Sequence, residues 1–69
     1  MTHEDYKTVL YRQGDSWVAE IPAIPGCYAL MPSHDAALAE LAKVYALIEE
    51  EYRQKGQPMP ADSTEIINA

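Results

Sequence analysis

The run Trp17-Val18-Ala19-Glu20-Ile21-Pro22-Ala23-Ile24-Pro25-Gly26-Cys27-Tyr28 limits what this chain can fold into more than any other stretch. Trp17 to Ile21 alternates like a half-buried strand, and a second strand starts at Cys27. Between them Pro22 and Pro25 each fix φ and remove a backbone donor, so the segment cannot be the middle of a paired strand or of a helix. Gly26 supplies a turn. The apolar residues of such a connector imply that it packs against something.

Upstream, residues 6–12 are rich in aromatic and β-branched types and predict a strand. Gln13-Gly14-Asp15 is a turn signal, and Gly14 suits the first central position of a type II′ hairpin, where φ must be positive. A second strand returns over 16–21. A two-residue turn pairs Gln13 with Ser16, Tyr11 with Val18, Leu10 with Ala19 and Val9 with Glu20. That register puts Tyr6, Thr8, Leu10, Trp17, Ala19 and Ile21 on one face. The other carries Lys7, Val9, Tyr11, Val18 and Glu20. The first face holds the tryptophan and no acid, so it is the better core face. Val9, Tyr11 and Val18 lie together on the second, and apolar patches of this kind mark interfaces. These three are the candidate oligomer interface.

Residues 27–31 predict a third, short strand, which Pro32-Ser33 ends. Ser33 is a good helix N-cap, and Asp35 in the first turn complements the helix dipole. From His34 to about Lys55, Leu38, Leu41, Tyr45, Ile48 and Tyr52 trace one face at spacings of three and four, widened by Ala37, Ala42 and Val44. Glu40, Lys43, Glu49, Glu50 and Arg53 fall mostly opposite. Gly56 ends the helix and Pro58 keeps it from resuming. A helix of this length outruns a three- or four-stranded sheet, which predicts an overhanging end. Residues 57–63 form a proline-bearing linker, and 64–68 predict one last short strand. The expected fold is α+β, β-β-β-α-β, a mainly antiparallel sheet with one long helix on one face.

Sixty-nine residues allow a single domain over 1–69, with no separate DNA-binding domain. A chain this short buries only about 60% of its unfolded surface and gains from a disulfide, a metal or a partner. Cys27 is the only cysteine, so no internal disulfide can form, and a lone thiol fits a reducing cytoplasm. Oligomerisation or a partner protein is left as the source of extra stability. The formal charge of −6 disfavours direct nucleic-acid binding and suits a basic partner. The polar, acidic start is neither a signal nor a transit peptide, and no apolar stretch is long enough to span a bilayer.

Catalytic constellations are scarce. The three glycines are isolated, so there is no phosphate loop. Cys27 with His34 is the one nucleophile-and-base pair available, and a buried strand cysteine beside an exposed helix-start histidine is its simpler reading. His3-Glu4-Asp5 matches no closed metal-site spacing. The chain is therefore expected not to be an enzyme and to use no cofactor or metal. Tyr45, Tyr52 and Trp17 read first as core. Glu49-Glu50-Glu51 reads as a solvated helix face or as an acidic docking edge for a basic partner.

Tyr6 to Leu10, Trp17-Val-Ala-Glu-Ile-Pro, Ile24-Pro-Gly-Cys27, the short strand after it, Ala36-Ala-Leu38 opening the helix and Gly56-Gln-Pro-Met-Pro60 following it cover nearly the whole chain. Their order and spacing resemble the HicB-like antitoxin family of bacterial type II toxin–antitoxin systems. The resemblance implies a partial ribonuclease-H-like domain and a role in binding and neutralising a small basic HicA-type toxin, an mRNA-cleaving ribonuclease. Many such antitoxins continue into a DNA-binding domain, and this chain ends at Ala69, so DNA binding is not carried over. Where the family often has a glycine before the helix, this chain has Leu30-Met31-Pro32. Glu20, Pro22, Ile24, Pro25, Gly26, Glu49 and Glu50 are the candidate residues of the toxin interface. The alternative is a stand-alone homo-oligomer, dimer or tetramer, with a structural or regulatory role and no toxin.

Overall fold

A computed structural model describes residues 5–67. Three strands, β1 (Val9–Gln13), β2 (Ser16–Glu20) and β3 (Tyr28–Met31), precede one helix, α1 (His34–Gln54). The sheet is antiparallel throughout in the order β1-β2-β3. The chain is thus an α+β protein.

The β1–β2 hairpin has the register read from the sequence, from Val9 opposite Glu20 to Gln13 opposite Ser16. Gly14 takes φ +62° and no non-glycine residue among those described has positive φ, which makes the loop type II′ rather than I′. The strands are shorter than 6–12, 16–21 and 27–31, and the connector is the reason. The Ile24 amide donates to the Ile21 carbonyl at 3.1 Å, and the Cys27 amide donates to the Ile24 carbonyl at 3.1 Å. These are two successive β-turns, with Pro22 and then Pro25 at the second position, where a preset φ near −65° is wanted and no donor is needed. Gly26, at φ +78°, makes the second turn type II. The Ile21 amide closes the loop on the Cys27 carbonyl at 2.9 Å. Turning begins at Ile21, so β2 offers no ladder partner to β1 before Val9.

Ser33 caps α1 by accepting the Ala36 amide at 3.2 Å, a bond worth about 1 kcal/mol. At the other end Gly56, φ +67°, donates to the Arg53 carbonyl and Gln57 to the Tyr52 carbonyl, a Schellman ending. The core lies between α1 and one sheet face. It comprises Tyr6, Ala19, Ile21, Ile24, Cys27, Ala29, Ala37, Leu41 and Tyr45, with Leu10, Trp17, Met31, Val44, Ile48 and Met59 packed around it. Ala19, Ala29 and Ala37 let the helix approach β2 and β3 closely. The stripe of α1 is therefore centred on Ala37, Leu41 and Tyr45, and Leu38 stands at its margin, 39% exposed.

Two expectations need correction. Among the described residues no strand follows α1, so the order is β-β-β-α rather than β-β-β-α-β; Asn68 lies outside the described residues. The tail is held by side chains instead of a ladder. The Tyr6 hydroxyl donates to the Pro60 carbonyl at 2.7 Å, and the Lys7 amide donates to Asp62 Oδ2 at 2.7 Å. Asp62 Oδ1 accepts the Thr64 amide at 3.0 Å, a local turn that competes with strand pairing. Ile66 and Ile67 are left exposed. The second correction is Thr8, expected on the core face: it is exposed, because β1 starts only after it.

Candidate protein-interaction surfaces

Two surfaces stand out, at one end of the molecule and on one face of the sheet. The end is built where the connector, the start of β1, the C-terminal half of α1 and the tail converge. Tyr6 and Tyr45 pack there with ring centroids 5.9 Å apart. The Tyr45 hydroxyl donates to Glu49 Oε2 at 3.0 Å. Burial pushes the Tyr45 phenol up to about 12, helped by that bond and by the charge of Glu49. Burial likewise raises the Tyr6 phenol, with Asp62, Glu49 and Asp5 adding to it. Three carboxylates from three separate segments thus act on one pair of phenols. Of these three, Glu49 alone is an interface candidate from the sequence. Asp5 and Asp62 join it through the tail, and nothing in local sequence brings residues more than fifty positions apart together.

Asp62 is held below the usual carboxylate range by the Lys7 and Thr64 amides, with the Lys7 ammonium at 3.8 Å as a weaker support. Its grip on the tail is therefore complete at neutral pH and is lost only as pH falls below the ordinary carboxylate value. The neighbouring Glu50 pairs with Arg53 and accepts Gln54 Nε2 at 3.3 Å, and Glu51 is exposed. Pro22, Pro25 and Gly26 form an exposed corner beside this end, whereas Ile24 is 2% exposed and turned into the core, so it offers no side chain to a partner.

The far end has a different character. Arg12 lies over Trp17 at 5.8 Å, and His34 meets the same ring edge-on at 5.2 Å. Trp17 is partly buried against the core, in line with its expected role. Cys27, buried and with its thiol pushed up by burial, precedes β3, while His34 stacks near its other end; the structure does not bring this pair together. Among the described residues no three His, Cys, Asp or Glu side chains group as metal ligands, and His3 and Glu4 lie outside them.

The second surface is the sheet face away from α1. Tyr11, Val18 and Leu30 form one row across the three strands, and Val9, Glu20 and Tyr28 form the next. Tyr28 is 60% exposed and Leu30 54%, while Val18, flanked by larger neighbours, is 6%. Val9, Tyr11 and Val18 thus lie together as the hairpin register required, and β3 adds two large apolar residues that had not been assigned a face. Glu20 belongs to this face, as the sole charge in its two rows.

The buried phenols and thiol carry a measurable pH signature. A group whose folded pKa is raised contributes stability that is whole below its unfolded value and is lost as pH rises through the folded one. The melting temperature is expected to hold up to pH 9, then fall as the pH passes 10 and approaches 12. Tyr45→Phe should flatten part of that fall in a thermal melt series. A wild-type melt that does not change across this range would contradict the burial of these groups.

No helix among the described residues is long and apolar enough to cross a membrane. No family model matches the chain, and no curated protein or solved structure matches it either.

Proposed function

We propose that this chain is a HicB-like antitoxin, a binding protein that neutralises a small basic ribonuclease toxin of HicA type in the cytoplasm by covering it. The observation that carries this reading is the acidic end. Asp5, Glu49 and Asp62 converge there from three segments, Glu50 and Glu51 follow Glu49 near the C-terminus of α1, and an exposed connector corner of Pro22, Pro25 and Gly26 stands alongside. Such a surface steers a cationic partner and offers it a pre-shaped edge. The resemblance in the Trp17–Pro22 and Ile24–Cys27 segments, with the first four elements of the β-β-β-α-β order that the resemblance implies, supports the same reading, including the proposed kinship with the partial ribonuclease-H-like domain. Capture is steric and electrostatic, with no reaction at the antitoxin itself.

The experiment is a tagged pull-down from the cells that make the protein, at low and moderate salt. The expected result is a small basic protein in fixed ratio, which cleaves mRNA once released and stops when the chain is added back. Recovery of the chain alone at low salt would sink the antitoxin reading. The second reading, a stand-alone oligomer without a toxin, is favoured by one observation, the uncovered apolar sheet face, and would then stand in its place.

A further inference from the structure

We propose that the uncovered sheet face binds a second copy of this chain, face to face, about a two-fold axis that crosses the strands at Val18. Charge selects the occupant. A basic partner finds its complement at the acidic end, and the rows Tyr11–Val18–Leu30 and Val9–Glu20–Tyr28 offer it one carboxylate. On a chain of formal charge −6, two copies repel on average, most strongly at the acidic end. This face, with a single acid, is where they can meet.

The position of that acid also selects the symmetry. An axis parallel to the strands lays β2 on β2 in the same direction and sets Glu20 against Glu20. An axis across the strands reverses the direction. It stacks Tyr11, Val18 and Leu30 on their own copies. Glu20 then lies over Ser16 of the second copy, because Ser16, Val18 and Glu20 alternate on one face of β2. The carboxylate accepts from the serine hydroxyl at both ends of the interface. The two Glu20 side chains separate by about 13 Å along the strands, beyond the screening length at ordinary salt. The interface is isologous and self-complementary.

A face of about 14 by 17 Å is small beside a standard interface, so the dimer is expected to form at and above about 100 µM and to dissociate on dilution. Sedimentation equilibrium of the pure chain tests this without any toxin, so failure of the antitoxin reading leaves it standing. Wild type should move from monomer to dimer with concentration. Leu30→Glu should be monomeric with an unchanged circular dichroism spectrum, and Tyr11→Glu repeats that test from another strand. Ser16→Lys should tighten the dimer several-fold and Ser16→Asp should loosen it. A wild type that is monomeric at every concentration overturns the proposal, as does a dimer indifferent to both glutamate variants. A Ser16→Lys dimer that weakens overturns the cross-strand axis. A wild type monomeric alone, whose Leu30→Glu variant loses a captured basic protein, assigns the face to that partner and overturns the proposal too.

Discussion

Replacing Leu41 with alanine is expected to unfold most of this protein's margin of stability. Leu41 is 1% exposed, sits in the middle part of α1 and is, among the described residues, one of the three largest fully buried side chains, with Ile21 and Ile24. A buried leucine-to-alanine change costs about 2–5 kcal/mol, and a domain of this size is stable by about 3–10 kcal/mol in total. The cost is at the upper part of that range here, because Ala19, Ala29 and Ala37 around the site have no side-chain length with which to fill a cavity. A thermal melt should therefore shift down by roughly 4–8 °C for each kcal/mol lost. Leu47, on the same helix and 70% exposed, is the control, and its alanine variant should melt close to wild type. A Leu41→Ala protein that melts with the Leu47→Ala protein would mean that α1 does not pack on the sheet through this face.

The hairpin and the helix were legible in the sequence because each is set by local chemistry. A glycine with positive φ fixes a two-residue turn, the turn fixes the register, and the register assigns faces. Ser33 and Gly56 mark the helix ends to within a residue. The connector was legible as an interruption, and its two prolines prove to be the second residues of two linked turns, which also explains why Ile21 and Ile24 can be buried on either side of Pro22. The tail was misread for a physical reason. Thr64-Glu-Ile-Ile has strand propensity, but Pro58 and Pro60 lack donors and Asp62 takes two backbone amides that a ladder would need. Propensity lost to a side chain from within the tail itself. The same event assembles the acidic end, since docking Asp62 on Lys7 brings the tail beside Tyr6 and Glu49. The acidic end was visible in sequence only as Glu49-Glu50-Glu51, and Asp5 and Asp62 were hidden because they join Glu49 by tertiary contact.

Reversing charge at Glu50 and Glu51 is expected to slow capture of a basic partner about tenfold or more at low salt, while leaving the dissociation rate nearly unchanged. Glu49 is the wrong member to reverse first: its carboxylate holds the Tyr45 hydroxyl, so a lysine there would disturb the core as well as the field. Glu51 is exposed, and Glu50 is engaged only on the helix surface with Arg53 and Gln54. Two reversals add four charges and take the formal charge from −6 to −2. That change alone weakens long-range attraction, so the comparison must hold it constant. Asp15→Lys with Glu40→Lys makes the same total change but places none of it at the acidic end; Asp15 lies in the hairpin turn, at the far end of the sheet. Stopped-flow association measured across a salt series separates the two effects. A local docking edge requires the Glu50/Glu51 pair to slow capture more than the control pair and to flatten the dependence on salt. Equal slowing by both pairs would reduce the acidic end to a share of the net charge, and would leave the connector corner to provide whatever specificity the partner surface has.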